Sequence, residues 1–325
     1  MGRRHRSSNL RRVNGILLLD KPTGLPSNAA LQAVKQLYAA LKAGHTGSLD
    51  PAATGMLPLC FGEATKASAY LLDADKTYRV VARLGSATDT GDAEGQIVAT
   101  ADVPTLQADA WRAVLDRFLG ESMQVPPMYS ALRHGGRRLY ELARKGETVE
   151  REPRRIVISA IDLLEIAGRR LVFRVRCSKG TYIRTLVEDI AGAAGTVAHT
   201  RRLHRESVAG FRACEMQSLV AVEERARRAD AAVLMPADAA LRHLARVEVT
   251  AADAERFAGG QQVAAEGPVG ERVRVYGPSD RFLGVGEAAE AGLVAPKRVF
   301  LPAAEESVEW PGAVKPASVG DTVEL

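Results

Sequence analysis

Cysteine is scarce in this 325-residue chain: Cys60, Cys177 and Cys214 are the only three, and no two stand close together. Such isolation excludes both a disulfide framework and a thiolate zinc site. His199 and His204 lack carboxylates at ligand spacing, so no metal is expected. Aromatic residues make up only 5% of the chain, and no apolar run approaches the ~20 residues that cross a bilayer. The expectation from these absences is a cytoplasmic protein in a reducing compartment, with no membrane partner. What is present, 46% hydrophobic residues over a length suited to two domains, is ordinary for a globular protein.

The formal charge of +5 is unevenly distributed. Basic clusters stand at Arg3-Arg4-His5-Arg6, Arg11-Arg12, Arg137-Arg138, Arg154-Arg155 and Arg201-Arg202-Leu203-His204-Arg205. Clustering of this kind is the footprint of phosphate contact, although solvated surface arginines carry the same pattern. Residues 1–12 read as a flexible basic arm. Gly15-Ile16-Leu17-Leu18-Leu19-Asp20 reads as a buried strand that ends in the Lys21-Pro22-Thr23-Gly24 turn. Ser27 is expected to cap a helix with Leu31, Val34, Leu37, Tyr38 and Leu41 on its apolar face and Lys42 in its last turn. Beyond Pro51, a second helix is expected through Glu63 to Leu72. Thr77 to Leu84 alternates as a strand, with Tyr78, Val80, Ala82 and Leu84 on one face, and Leu171, Phe173, Val175 and Cys177 mark another. A helix from about Thr181 to Ala191 follows, closed by Gly192 and Gly195.

Residues 122–155 form an excursion rich in Arg and Tyr, suited to gripping RNA but also readable as a plain surface hairpin. Glu215 to about Leu244 reads as a helical connector. From Ala245 the character changes: a helix over Ala251 to Ala258 precedes short strands at Arg272 to Tyr276, Phe282 to Val285 and Leu293 to Val294. That pattern defines a compact, mainly β module over 245–304, with a loosely ordered tail over 305–325.

Three residues stand out on chemical grounds. Asp50 lies in the loop Gly44-His45-Thr46-Gly47-Ser48-Leu49-Asp50-Pro51, where glycines let backbone approach a ligand; Asp before Pro is also how many helices begin. Tyr78 sits at the start of its strand, where a ring can bring its hydroxyl to a cleft or be satisfied in the core. Arg184 occupies the first turn of its helix, where a cation opposes the dipole; it either serves a site or points to solvent.

Four segments, Gly15 to Pro22, Gly44 to Pro51, Asp75-Lys76-Thr77-Tyr78 and Ser178 to Arg184, resemble in order and spacing the motifs of the TruB family, the bacterial tRNA pseudouridine-55 synthases. Phe282 to Glu287 and Pro296 to Phe300 are similar to a PUA domain. The resemblance implies an α/β (α+β) fold: a mixed, largely antiparallel sheet flanked by helices over 13–244, with the PUA-like RNA-binding domain behind it. It implies that Asp50 is the catalytic aspartate, Tyr78 the ring beside the target base and Arg184 the partner of Asp50. His45, Tyr182 and Leu203 match positions that contact the nucleotide, and Lys21 falls in a Lys-Pro motif whose role is structural. The implied reaction isomerises the T-loop uridine of tRNA by base flipping, with no cofactor and no required protein partner; a monomer is the default expectation. Residue types leave open whether Asp50 attacks the sugar, attacks the base or removes a sugar proton. A non-catalytic tRNA-binding or folding factor is the alternative, since basic clusters and a PUA-like module serve it equally well. A hydrolytic nucleosidase is disfavoured because no second acid stands at comparable spacing.

Overall fold

The computed structural model describes residues 10–227 and 234–301. Most of the basic arm, with its Arg3 to Arg6 cluster, part of the connector (228–233) and the tail from 302 onward lie outside the described residues. The large sheet is built from β1 (Gly15–Lys21), β2 (Ala43–His45), β3 (Thr54–Phe61), β4 (Lys76–Leu84), β5 (Gly120–Gln124), β6 (Arg154–Ala167), β7 (Arg170–Cys177), β8 (Ala198–Val208) and β9 (Gln217–Ser218). Its order is β9-β1-β3-β8-β4-β7-β6-β5, with β2 added beside β3. Only β8 with β3 and β9 with β1 run parallel; the other pairings are antiparallel. The helices are α1 (Ser27–Leu37), α2 (Ser68–Asp73), α3 (Ala108–Asp116), α4 (Leu139–Ala143), α5 (Ile183–Ala193) and α6 (Leu219–Arg227). This is the mixed α+β architecture expected.

Alternation in β4 and β7 has its cause in one shared face. Val80, Ala82 and Leu84 join Leu171, Phe173, Val175 and Cys177 in a buried cluster with Trp111 and Leu115 of α3 and Ile183, Leu186, Val187 and Ile190 of α5. The unbroken apolar run of β1 is buried on both sides instead. Leu17 and Leu19 share a cluster with Leu31, Val34 and Tyr38, while Ile16 and Leu18 belong to a different one with Met56 and Leu71.

Several expectations need correcting. α1 ends at Leu37, Leu41 is exposed, and the Ser27 hydroxyl caps nothing. That hydroxyl both donates to the Leu49 carbonyl (2.9 Å) and accepts from the Leu49 N–H (2.8 Å), which binds α1 to the loop carrying Asp50. Between Pro51 and the expected second helix the chain inserts β3; the helical stretch itself runs as a 3-10 turn, Gly62–Ala67, into α2. The connector is mixed rather than helical: β9 joins the large sheet, α6 follows, and a 3-10 turn spans Ala237–Leu241.

The second sheet holds β10 (Ala245–Glu248), β11 (Val263–Ala264), β12 (Arg272–Gly277), β13 (Arg281–Ala289) and β14 (Leu293–Val299), in the order β10-β12-β13-β14-β11. Helix α7 (Ala251–Ala258) packs on it, and the Thr250 Oγ1 caps α7 by accepting the Asp253 N–H at 3.1 Å. The two sheets share one apolar cluster: Val285, Phe300 and Phe282 belong with Ile16, Leu18 and Met56.

Candidate active site

Pro51 opens a turn that leads straight into β3, so Asp50 caps no helix. The loop before it is fastened from three directions. Ser27 holds Leu49 as described. Lys21, fully buried, donates from Nζ to the carbonyls of Pro22 (2.8 Å), Leu25 (2.7 Å) and Pro51 (3.2 Å). Arg205 donates from Nε to the Met56 carbonyl (2.7 Å) and from Nη2 to the Gly47 carbonyl (2.9 Å). Arg205 is itself buried, so this member of the 201–205 basic cluster is an internal brace and unavailable for phosphate. β3 and β8 meet so closely at the Arg205 backbone that only glycine fits at position 55: a Cβ there would lie 2.3 Å from the Arg205 carbonyl oxygen, and φ is +99°.

Arg184 reaches the loop from α5. Its Nε lies 3.0 Å from the Asp50 carboxylate, with the arginine side chain 8% exposed and the aspartate 44%. The solvent-pointing reading of Arg184 is therefore overturned. Nη1 donates to the Thr90 carbonyl (2.8 Å) and Nη2 to the Tyr129 carbonyl (2.7 Å), which locks the guanidinium plane. A second acid, Asp92, stands 3.6 Å from Nη1. Sequence reasoning passed over Asp92; the turn-rich run Thr90-Gly91-Asp92 was its only signal. Its carboxylate is held by the Thr90 hydroxyl (2.7 Å) and the Glu94 N–H (3.1 Å). The cation at the positive end of the helix dipole is thus offset by two carboxylates and two carbonyls.

The protein packed around the inner side of Asp50, whose carboxylate still reaches the cleft, raises the carboxyl above its ordinary range by desolvation; Arg184 opposes that rise, Asp92 adds to it and Lys21 opposes it. Burial pushes the Lys21 ammonium down to about 8. Tyr78 on β4 is half-buried; desolvation raises its phenol, and the charges of Arg205 and Asp50 both act on it. His45 ends β2, and its imidazole is pushed down by burial and then by Arg205. Tyr182 immediately precedes α5. Its N–H donates to the Gln124 Oε1 (2.8 Å) and its carbonyl accepts from Gln124 Nε2 (3.1 Å), tying α5 to β5. Its phenol is raised by burial and also feels Arg184 and Asp50. Leu203 on β8 packs against the core cluster and lines a narrow cleft together with Asp50, Asp92, Arg184, Thr200 and Arg202. Asp50, Arg184 and Leu203 therefore share one cleft, and Tyr78 and Tyr182 lie within electrostatic reach of Asp50. Among the described residues no group of His, Cys, Asp and Glu is arranged to hold a metal ion, and no helix is long and apolar enough to cross a membrane.

Two family models match the chain: TruB family pseudouridylate synthase, N-terminal domain, over residues 35–183, and Pseudouridine synthase II TruB, C-terminal, over residues 245–300. A tRNA pseudouridine synthase B from Dechloromonas aromatica is 50% identical over 289 residues, 89% of this chain and 96% of that protein. The chain belongs to the TruB family. Within it, a tRNA pseudouridine synthase B from Chromohalobacter salexigens is 49% identical over 302 residues, 92% of this chain and 97% of that protein. A further relative of that name, from Burkholderia mallei, is 51% identical over 301 residues, covering 90% and 98%. Among solved structures, a Cbf5-Nop10-Gar1 complex contains a chain with TM-score 0.70 and 26% identity, covering 89% of this chain and 85% of that one. As a TruB-family pseudouridine synthase the protein is an isomerase.

Proposed function

We propose that the protein converts the T-loop uridine at position 55 of tRNA to pseudouridine, with Asp50 as the catalytic carboxylate. The observation that carries this reading is the Arg184–Asp50 contact of 3.0 Å at a cleft lined by Leu203 and Thr200. The reaction breaks the N1–C1′ glycosidic bond, turns the uracil while it stays bound, and joins C5 to C1′. Atoms balance within one nucleotide and no electron is exchanged, so one well-placed carboxylate serves where a glycoside hydrolase needs two. Asp50 must be ionised in surroundings that favour the neutral acid, and the locked guanidinium of Arg184 supplies the compensating charge.

Tyr78 is assigned to pack against the uracil and assist the C5 proton's removal, and Tyr182 and Leu203 to shape the base pocket. Extracting the base from an RNA loop costs a few kcal/mol, and stacking returns about 1–3 kcal/mol per base. His45 is assigned to that exchange, filling the place that the flipped base leaves. Lys21, with three carbonyl partners, has a structural task. In the 122–155 excursion Tyr140 lies between Arg138 and Arg144, at 5.9 and 5.6 Å from its ring centroid, a pairing suited to nucleotide contact. Residues 245–301 are assigned as the PUA-like RNA-binding unit.

The test is mass spectrometry of tRNA from a strain whose copy carries Asp50→Asn. The expected result is loss of one T-loop pseudouridine, with tRNA binding by the purified variant retained. A modified T loop in that strain refutes the assignment; wild-type protein that binds and refolds tRNA without forming pseudouridine favours the folding-factor reading.

A further inference from the structure

Across β4, the face opposite the core carries Thr77, Arg79, Val81 and Arg83. Strand register sets Arg170 of β7 and His199 of β8 on either side of Arg83. Beyond them a groove of about 760 Å3 opens towards the hairpin Ser86–Thr88 and Ile97–Thr100. Five arginines line it, Arg83, Arg169, Arg170, Arg201 and Arg202, and no acidic residue does.

The surrounding pattern gives this groove its meaning. On β7, Arg170, Arg174 and Arg176 each face an acid: Glu165, Glu206 and Asp75 respectively. The side chains of Arg83, Arg169, Arg201 and Arg202 have no ion-pair or hydrogen-bond partner among the described residues, and all four residues are exposed. Four uncompensated cations around one concavity repel one another, an arrangement that a polyanion relieves. The groove also communicates with the Asp50 cleft. A register shift in β8 between Thr200 and Arg202 places Arg201 in a bulge, so that the consecutive Arg201 and Arg202 line both the cleft and the groove. Arg83 stands five residues along β4 from Tyr78, about 17 Å at ~3.3 Å per residue. Beside the groove, Ile97 and Val98 are 64% and 65% exposed, an apolar flank for bases or sugars.

We infer that this groove holds the sugar-phosphate backbone of the substrate RNA as it leads away from the reacting nucleotide. The inference rests on the proposed function and adds the track on which the RNA lies. Arginine suits it, because its planar fork pairs with phosphate oxygens.

The test replaces Arg83 and Arg169, which lie outside the Asp50 cleft. Equilibrium binding of full-length tRNA is measured across a salt series with the wild type, with R83Q/R169Q and with R83K/R169K. Each phosphate contact contributes roughly 0.7–0.9 to the slope of log affinity against log salt. The glutamine variant is expected to flatten the slope by about 1.5 and to weaken binding by about tenfold at ~0.1 M salt, and the lysine variant to restore both. An unchanged slope in the glutamine variant overturns the groove assignment, including in favour of an acidic protein as its occupant. A loss that lysine does not restore overturns it as well, because charge is then not the cause. Wild-type protein that forms no pseudouridine in tRNA would sink the parent reading instead, so the two failures are distinguishable.

Discussion

Arg184 divides one guanidinium between two carboxylates, and both charges act on Asp50 on top of its desolvation. Asp92 raises the Asp50 carboxyl while Arg184 lowers it. Because the ionised form is the working one, activity is expected to fall on acidification through a pKa above the ordinary ~3.9 of an aspartate. Removing the Asp92 charge removes a like-charge neighbour, so Asp92→Asn is expected to move the acid limb of the kcat profile to lower pH. Arg184 also loses a partner that holds it in place, and a drop in kcat of about 10- to 100-fold is expected with KM little changed. An acid limb that stays put or moves up would remove Asp92 from this role. Lys21 is a different case, because its three carbonyl acceptors leave it no task at a ligand. Lys21→Met removes the donor of the Pro22 and Leu25 carbonyls, while the Pro51 carbonyl keeps the Gly24 N–H (2.8 Å), and is expected to cost about 2 kcal/mol or more in urea unfolding. A stability loss below ~0.5 kcal/mol would show that water or a neighbour satisfies them.

Elements carry the loop as much as residues do. Ser27 supplies both bonds to Leu49, so Ser27→Ala leaves a buried N–H and C=O unpaired, at about 1–3 kcal/mol. It is expected to lower kcat more than tRNA affinity, because the loop it releases presents Asp50; an affinity loss equal to the kcat loss would contradict that. Gly55→Ala sets a Cβ against the Arg205 backbone and is expected to abolish soluble expression or lower the melting temperature by many degrees. The elements differ in how far they could be read beforehand. β4 and β7 declared themselves by alternation because one face of each is buried, and α7 by the glycine pair Gly259-Gly260 that ends it. β3 was invisible: it is apolar on both faces and contains Pro58, which argues against a central strand. The structure resolves that conflict locally. The Pro58 carbonyl accepts from the Thr46 N–H (3.1 Å), away from β1, and the N and C=O of a strand residue face the same edge. On that edge β8 pairs only Thr54 and Gly55, and β2 pairs from Leu59 onward, so the missing N–H meets no ladder. Ser27 was misread for a related reason: a hydroxyl at a helix start looks like a cap until a distant loop claims it. The site was legible through the resemblance. No local rule joins Asp50 to Arg184, and the Asp92 and Arg205 roles depend on contacts that only the assembled sheet creates.

At the scale of the whole molecule, the two sheets are expected to fold as one cooperative body. Phe300 is 5% exposed and belongs to the cluster that holds Ile16 and Leu18 of β1 and Met56 of β3. Its ring lies 5.0 Å from that of Phe282, centroid to centroid. A polar clasp surrounds it. Lys66 Nζ donates to the Val299 carbonyl (2.9 Å) and pairs with Glu63 (2.5 Å), whose Oε2 accepts the Leu301 N–H at 2.8 Å. On the far side Tyr276 donates its hydroxyl to Asp238 at 2.5 Å, joining β12 to the turn at Ala237–Leu241. The strands that carry the Asp50 loop therefore lose part of their own core when the second sheet leaves. Calorimetry of the full chain is expected to show a single transition. Phe300→Ala removes a buried ring at about 3–5 kcal/mol, which for a chain of this size lowers that one transition by roughly 4–8 °C. Two resolved transitions, with only the earlier one moved by the substitution, would show that the second sheet unfolds alone and that the Asp50 loop owes it nothing.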